Sequence, residues 1–274
     1  MESYLQMKNT LFTLCMVIFY CKHNVAIYSK LSQNEIEELK DYAVYYSYKQ
    51  TKEILMKYYN RSEEIKMLVD EYDFRCGSVK TFFKKHYPFI TVEAAYRRTR
   101  NVVAQRVANV IKARLVGNPP QFMTMSNYFF NDTEELRRAF YSLGVYGAAC
   151  KTREYLYSSA VIVAGYWVDQ TSFGISKMYN TLPSAGSAIY EWPDDLVKPD
   201  MVFVINPSSS FPPIPLHPYK PLKTYSFKDK LLDCMLRFRN PSLIEINTSV
   251  DNNEAIRSIV SHINKRFDTN FQCG

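Results

Sequence analysis

The sequence predicts an α/β protein, a three-layer, doubly wound parallel sheet preceded by an N-terminal helical extension. Short apolar, β-branched runs alternate with stretches of helical periodicity from Pro88 onward, which is the pattern of right-handed βαβ units. The first such run, Phe89 to Glu93, is apolar enough to be a strand buried on both faces. Before it, residues 32–86 are rich in Tyr, Lys and Glu, with apolar positions at helical spacing. The chain thus divides into a mainly helical extension, 1–86, and an α/β domain, 87–274.

In the extension, Ser32 with Glu35 three residues later fits a capping box that opens a helix through Ile36, Leu39 and Ala43. Ile54, Leu55, Tyr58 and Tyr59 mark another. The cluster Tyr42, Tyr45, Tyr46 and Tyr48 reads as a stripe facing the core or a partner helix, with a binding surface as the alternative. After the Phe89 to Glu93 strand, apolar residues from Val102 to Val116 keep helical spacing, and a further helix is expected over Thr133 to Tyr157. Strands follow at Ala160 to Val163, Met201 to Asn206 and Leu243 to Ile246. Helices are expected at Phe227 to Phe238 and Asn253 to Phe267. Between Asn206 and Pro221 six prolines exclude a regular helix and predict a stiff, extended loop.

A chain of 274 residues with 47% hydrophobic content is long enough for one α/β domain plus an extension. Its net charge of +7 suits solubility, or alternatively a polyanionic partner. Six scattered cysteines without a C-x-x-C pair argue against a zinc site or a disulfide framework. The four histidines lie apart, and no Ser-His-Asp, metal or glycosidase arrangement is seen. The apolar stretch Leu11 to Cys21 falls short of the roughly 20 residues a membrane helix needs. It reads as an element packed on the domain rather than the core of a signal peptide, so no membrane span is expected. The first thirty residues contain no arginine and include Glu2, unlike a mitochondrial transit peptide. A cytoplasmic location is expected.

The turn between the first strand and its helix carries the functional question. A strand, loop and helix of this layout binds phosphate when the loop reads G-x-x-x-x-G-K-[ST]. Glycines let backbone N–H groups curl round the phosphates, the lysine reaches the terminal phosphates, and the hydroxyl holds magnesium. Here the loop reads Ala94-Ala95-Tyr96-Arg97-Arg98-Thr99-Arg100-Asn101, which replaces both glycines, the lysine and the hydroxyl.

The flanks of that loop resemble the thymidylate kinase family of nucleoside monophosphate kinases, in its mitochondrial UMP-CMP kinase 2 branch, where FIVVEGLDATGKTT fills the same place. Arg137 to Gly144 (RRAFYSLG) is similar to that branch's RRAFYSLGNY, and Tyr190 to Asp200 (YEWPDDLVKPD) to its YQWPEDLLKPD. Arg239-Asn240-Pro241 followed by a strand and a closing helix also agrees. The likeness covers Lys85 to Phe267. It implies a P-loop NTPase-like nucleoside monophosphate kinase fold, ATP and magnesium as cofactors if the protein is active, and a mitochondrial location as the alternative to the cytoplasm.

Against that pattern the chain departs wherever charge is handled. Arg100 stands at the phosphate lysine, bulkier and forked. Ala94 and Thr99 put Cβ atoms where the loop needs glycine. Asn101 replaces the hydroxyl beside magnesium, and Ala164-Gly165 replaces the Asp-Arg of the family's VIVDRYW. The Pro-rich loop lacks the arginines of the family's lid; Lys220 and Lys223 are its cations. Because phosphoryl transfer is catalysed by positioning and charge neutralisation, these losses predict a pseudokinase with a binding or regulatory role. The alternative is an active kinase passing phosphate from ATP to dTMP, dUMP, UMP or CMP.

Candidate nucleotide contacts are Glu93, Arg97, Arg98, Arg100, Asn101, Arg138, Phe140 and Tyr141. Arg97, Arg98 and Arg100 at a helix N-terminus read either as a rewired phosphate cradle or as a solvated basic turn. Phe140 and Tyr141 correspond to the family segment that lies against the pyrimidine, and read equally as core aromatics. The partners expected are a pyrimidine nucleotide and a protein, or a second copy in a homodimer, met through the tyrosine-rich helices or the Pro-rich loop. Neither nucleic acid nor a catalytic or metal-binding residue is expected.

Overall fold

A computed structural model describes residues 45–77, 87–124, 133–207, 226–248 and 252–273. The Ser32 capping box, Tyr42, the Leu11 to Cys21 stretch and nearly all of the Pro-rich loop lie outside the described residues.

Two helices, α1 (Tyr48–Met56) and α2 (Glu63–Cys76), precede the sheet. Each begins at a serine whose hydroxyl accepts a backbone N–H of the first turn, Ser47 from Gln50 and Ser62 from Ile65, which satisfies one of the donors a helix start leaves open. The sheet elements then follow as β1 (Phe89–Ala94), α3 (Arg97–Val110), β2 (Arg114–Gly117), α4 (Glu134–Tyr155), β3 (Val161–Ala164), α5 (Trp167–Met178), β4 (Met201–Pro207), α6 (Phe227–Met235), β5 (Leu243–Thr248) and α7 (Asn252–Phe267).

The five strands pair in the order β2-β3-β1-β4-β5, and every pairing is parallel. Helices cover both faces, as the predicted three-layer fold requires. Alternate residues sort the two cores. Ile90, Val92, Ala94, Phe203 and Ile205 pack with Val103, Val107, Ile259 and Ile263 of α3 and α7. Phe89, Val161, Val163, Val202 and Val204 pack on the opposite face against α4, α5 and α6. Each such side chain, fully withdrawn from water, contributes on the order of 1.5–3 kcal/mol.

The second core also takes in the N-terminal helices. Tyr45, Leu55, Leu68, Val69 and Tyr72 join it, and Thr51 Oγ1 lies 2.8 Å from Ser142 Oγ of α4. Tyr45 and Tyr46 are thus used internally, with the Tyr46 hydroxyl donating to the Ile189 carbonyl. The YEWPDDLVKPD segment ties elements together. Asp195 accepts from the Tyr146 hydroxyl at 2.8 Å and the Tyr48 N–H at 2.7 Å. Asp200 accepts the Phe89 N–H and donates its own N–H to the Phe89 carbonyl, both at 2.7 Å, which aligns the starts of β1 and β4.

Two sequence expectations are corrected. The helix expected over Val102 to Val116 ends at Val110, and Arg114 to Gly117 forms the edge strand β2. Lys112, at φ 55°, reverses the chain between them. One pair of cysteines does bridge: Cys76 at the end of α2 is disulfide-bonded to Cys150 of α4, 74 residues away. That bridge fixes α2 to the helix layer of the sheet.

Candidate functional site

In an open parallel sheet, ligands bind beyond the carboxyl ends of the strands, where the strand order changes direction. Here that place lies above β1, whose neighbours are β3 on one side and β4 on the other. Only Ala95 and Tyr96 separate the end of β1 from Arg97, the first residue of α3. The eight-residue loop expected from Ala94 to Asn101 is therefore mostly wound into helix. Thr99, Arg100 and Asn101 have helical backbone, and no extended run of N–H groups remains to curl round a phosphate.

The start of α3 has no side-chain cap and no acidic residue in its first turn, although arginines stand at 97, 98 and 100. Positive charge there opposes the helix dipole. Lys228 of α6 braces the turn: its Nζ donates to the Ala95 carbonyl at 2.6 Å and lies over the Tyr96 ring.

Arg100 does not reach into solvent. It is only 4% exposed, and its Nη1 lies 2.6 Å from Asp169 Oδ2 of α5. Its Nε donates to the Asn101 side-chain oxygen at 3.3 Å. The guanidinium rests on Gly165, directly after β3, whose φ of +76° is a conformation natural to glycine. A Cβ there would lie 2.9 Å from Arg100 Nε and closer still to Nη1. The space that a side chain at 165 would need is occupied by Arg100.

Glu93 is fully buried on β1 and accepts the Tyr166 N–H at 3.1 Å. Burial first, and then the Asp169 carboxylate, push its carboxyl up to about 7, against the pull of Arg100.

Beside the Arg100–Asp169 pair opens a cavity of about 400 Å³, floored by Ala94 and Ala95 and walled by α4, α5 and α6. Six cations (Arg97, Arg100, Arg137, Arg138, Lys177 and Lys228) face two carboxylates, Glu134 and Asp169. Tyr141 and Phe173 supply aromatic wall, and Phe173 meets Phe227 edge to face at 5.7 Å. Four of the sequence candidates, Arg97, Arg100, Arg138 and Tyr141, are thus brought together. Arg98 and Asn101 are exposed and do not line the cavity, nor does the buried Glu93. Phe140 is completely buried in the core, edge to face with Tyr141.

Glu134, Arg137, Asp169, Phe173, Lys177 and Lys228 were not legible as site residues. Arg137 was the most accessible of these, since it adjoins Arg138. Glu134 looks like an ordinary first-turn acid of α4, capped at Thr133, and Lys177 has no sequence signal of its own.

No family model matches the chain. The human protein described as mitochondrial UMP-CMP kinase 2 is 29% identical to it over 134 residues, which cover 47% of this chain and 30% of that protein. The chain therefore spans under a third of the relative it matches. Among solved structures, a thymidylate kinase from Candida albicans matches over 70% of this chain and 97% of its own, with 11% identity and a TM-score of 0.48. No described helix is long and apolar enough to cross a membrane. The sequence match to the human protein links this chain to the nucleoside monophosphate kinase superfamily.

Proposed function

We propose that this chain is a catalytically degenerate nucleoside monophosphate kinase relative that acts by binding rather than by transferring phosphate. The observation that carries this reading is the Arg100–Asp169 ion pair laid over Gly165. A lysine in a working loop is left free to meet a phosphate, whereas Arg100 is already neutralised by a carboxylate and nearly closed off from solvent.

The residues present do not fit ATP with magnesium. The connection from β1 to α3 offers no glycine cradle. Asn101 is exposed and its amide oxygen is engaged by Arg100, and Asp169 is held in its ion pair. Residues 164 and 165 bring neither an acid for the metal nor a cation for the phosphates.

The cavity between α4, α5 and α6 supports a retained binding role. Its excess of cations suits an anion, and Tyr141 and Phe173 offer ring faces to a base. A pyrimidine monophosphate is the ligand class that fits both, and the likeness to UMP-CMP kinase 2 favours the same class. A protein partner would then read the occupied or empty state.

A coupled assay for ADP release, with ATP and magnesium and each of dTMP, dUMP, UMP and CMP, tests this reading. No turnover above the protein-free rate is expected. Turnover with any of the four would replace it with that of an active pyrimidine nucleotide kinase.

A further inference from the structure

One wall of the cavity carries a carboxylate where an anionic ligand would be expected to sit. Glu134 Oε1 accepts from Arg138 Nε at 3.0 Å and lies 3.6 Å from Lys177 Nζ. Its Oε2 is bonded to Arg137 Nη2. Three cations from two helices, α4 and α5, converge on one side chain, and all four residues line the same cavity. A lone surface carboxylate makes one such contact, or two when an arginine grips it side-on.

The cations crowd one another as well. Burial first, and then Arg137 and Arg138, lower the affinity of Lys177 for its proton. Burial likewise disfavours the charged form of Arg138. Such a cluster is stabilised by an anion, and Glu134 supplies one charge where a phosphate monoester would supply up to two. Glu134 itself is 42% exposed and stands at the first position of α4, so its side chain has room to swing toward solvent.

We propose that Arg137, Arg138 and Lys177 form a site for a phosphate monoester group, and that the Glu134 carboxylate is a resident competitor that the phosphate displaces. The proposal rests on the reading that this cavity binds an anion, and it adds where the phosphate sits and what limits its affinity. The site is offset from the strand ends, on the helix side of the cavity, and so does not need the phosphate seat that Arg100 fills. Removing the competing charge should tighten phosphate binding. Removing a cation should weaken it.

Calorimetric titration of the full chain and of Glu134→Gln with inorganic phosphate, CMP and cytidine tests this. Glutamine keeps the shape and gives up the charge. Glu134→Gln is expected to bind phosphate and CMP about tenfold more tightly than the unmodified chain, with cytidine unchanged. Adding Lys177→Gln should abolish that gain, and Lys177→Gln alone should weaken phosphate binding several-fold. This last arm decides the matter even if Glu134→Gln fails to fold. A gain with inorganic phosphate alone points to free phosphate as the ligand, and a larger one with CMP points to a nucleotide. Equal affinities in Glu134→Gln and the unmodified chain would overturn the competitor role. Absence of phosphate and CMP binding in every variant would overturn the site, while leaving the lack of kinase turnover to be judged by its own assay.

Discussion

Arg100 and Gly165 exclude one another's alternatives. The Arg100 guanidinium lies where any Cβ on residue 165 would have to be, and Gly165 holds a φ of +76° that favours glycine. Arginine at 100 in this pose and a side chain at 165 are thus mutually exclusive.

Gly165→Ala should cost about 2–3 kcal/mol in urea unfolding, of which roughly 1–2 kcal/mol is the positive φ and the rest the collision with Arg100. In an Arg100→Ala background the collision disappears, so the cost of Gly165→Ala should fall to the backbone part alone. A double-mutant cycle on unfolding midpoints reads the difference directly. Additive costs would show that the two positions are independent.

The Arg100–Asp169 pair predicts a second set of effects. The arginine side chain is 5% exposed and that of Asp169 30%, so Asp169→Asn should destabilise by about 2 kcal/mol, below the 3–5 kcal/mol of a fully buried pair. Arg100→Lys should also lose about 1–2 kcal/mol because an ammonium cannot reproduce the forked contacts to Asp169 and Asn101. Chemical denaturation of both variants checks the order. A stabilised Arg100→Lys would mean that the pair is not a structural one.

Glu93 makes stability depend on pH. Its carboxyl is raised from 4.5 to about 7 in the fold. Between those values the folded protein keeps the proton that the unfolded chain has lost, so this group makes stability fall as pH rises toward 7, and its effect levels off above that. Glu93→Gln should flatten that slope and stabilise the protein at pH 8 by roughly 2–3 kcal/mol relative to the unmodified chain. Unfolding curves at pH 5, 6, 7 and 8 measure it; parallel slopes for the two proteins would contradict it.

The Cys76–Cys150 bridge closes a long loop, 74 residues in sequence, so opening it should cost about 2–4 kcal/mol. Cys150→Ser and thermal unfolding with and without reductant give two readings of that cost. The lost stability should appear first as release of α2, seen as faster amide exchange in residues 63–76. Such a bridge persists in oxidising surroundings and opens in reducing ones, so its state in protein from cells also bears on the expected cytoplasmic location.

How far the sequence revealed this arrangement varied with the physics. The inner strands were legible because Met201 to Ile205 is apolar without interruption and Phe89 to Ala94 is broken only by Thr91 and Glu93, as burial on both faces demands. Strand β2 was not, since Leu115 and Val116 continue the helical spacing of α3 and the reversal falls on Lys112, a residue that gives no turn signal. The disulfide depends on two helices meeting in space, which spacing along the chain does not reveal. Phe140 and Tyr141 were both candidates, but neighbours on a helix point about 100° apart. One enters the core and the other the cavity, and only packing decides which. The residues at 100, 101, 164 and 165 were visible; that Arg100 turns back on Gly165 and pairs with Asp169 was not, because the partner lies 69 positions away on another helix.

The closed pairing of Arg100 with Asp169 over Gly165 is tested most directly by calorimetric titration with ATP and magnesium of Lys177→Gln, in which the anion site between α4 and α5 is weakened. The expected result is no saturable binding at concentrations up to about 1 mM, equivalent to less than about 4 kcal/mol of affinity. Saturable binding in the micromolar range would show that Arg100 leaves Asp169 to meet the nucleotide, and would contradict a closed phosphate seat.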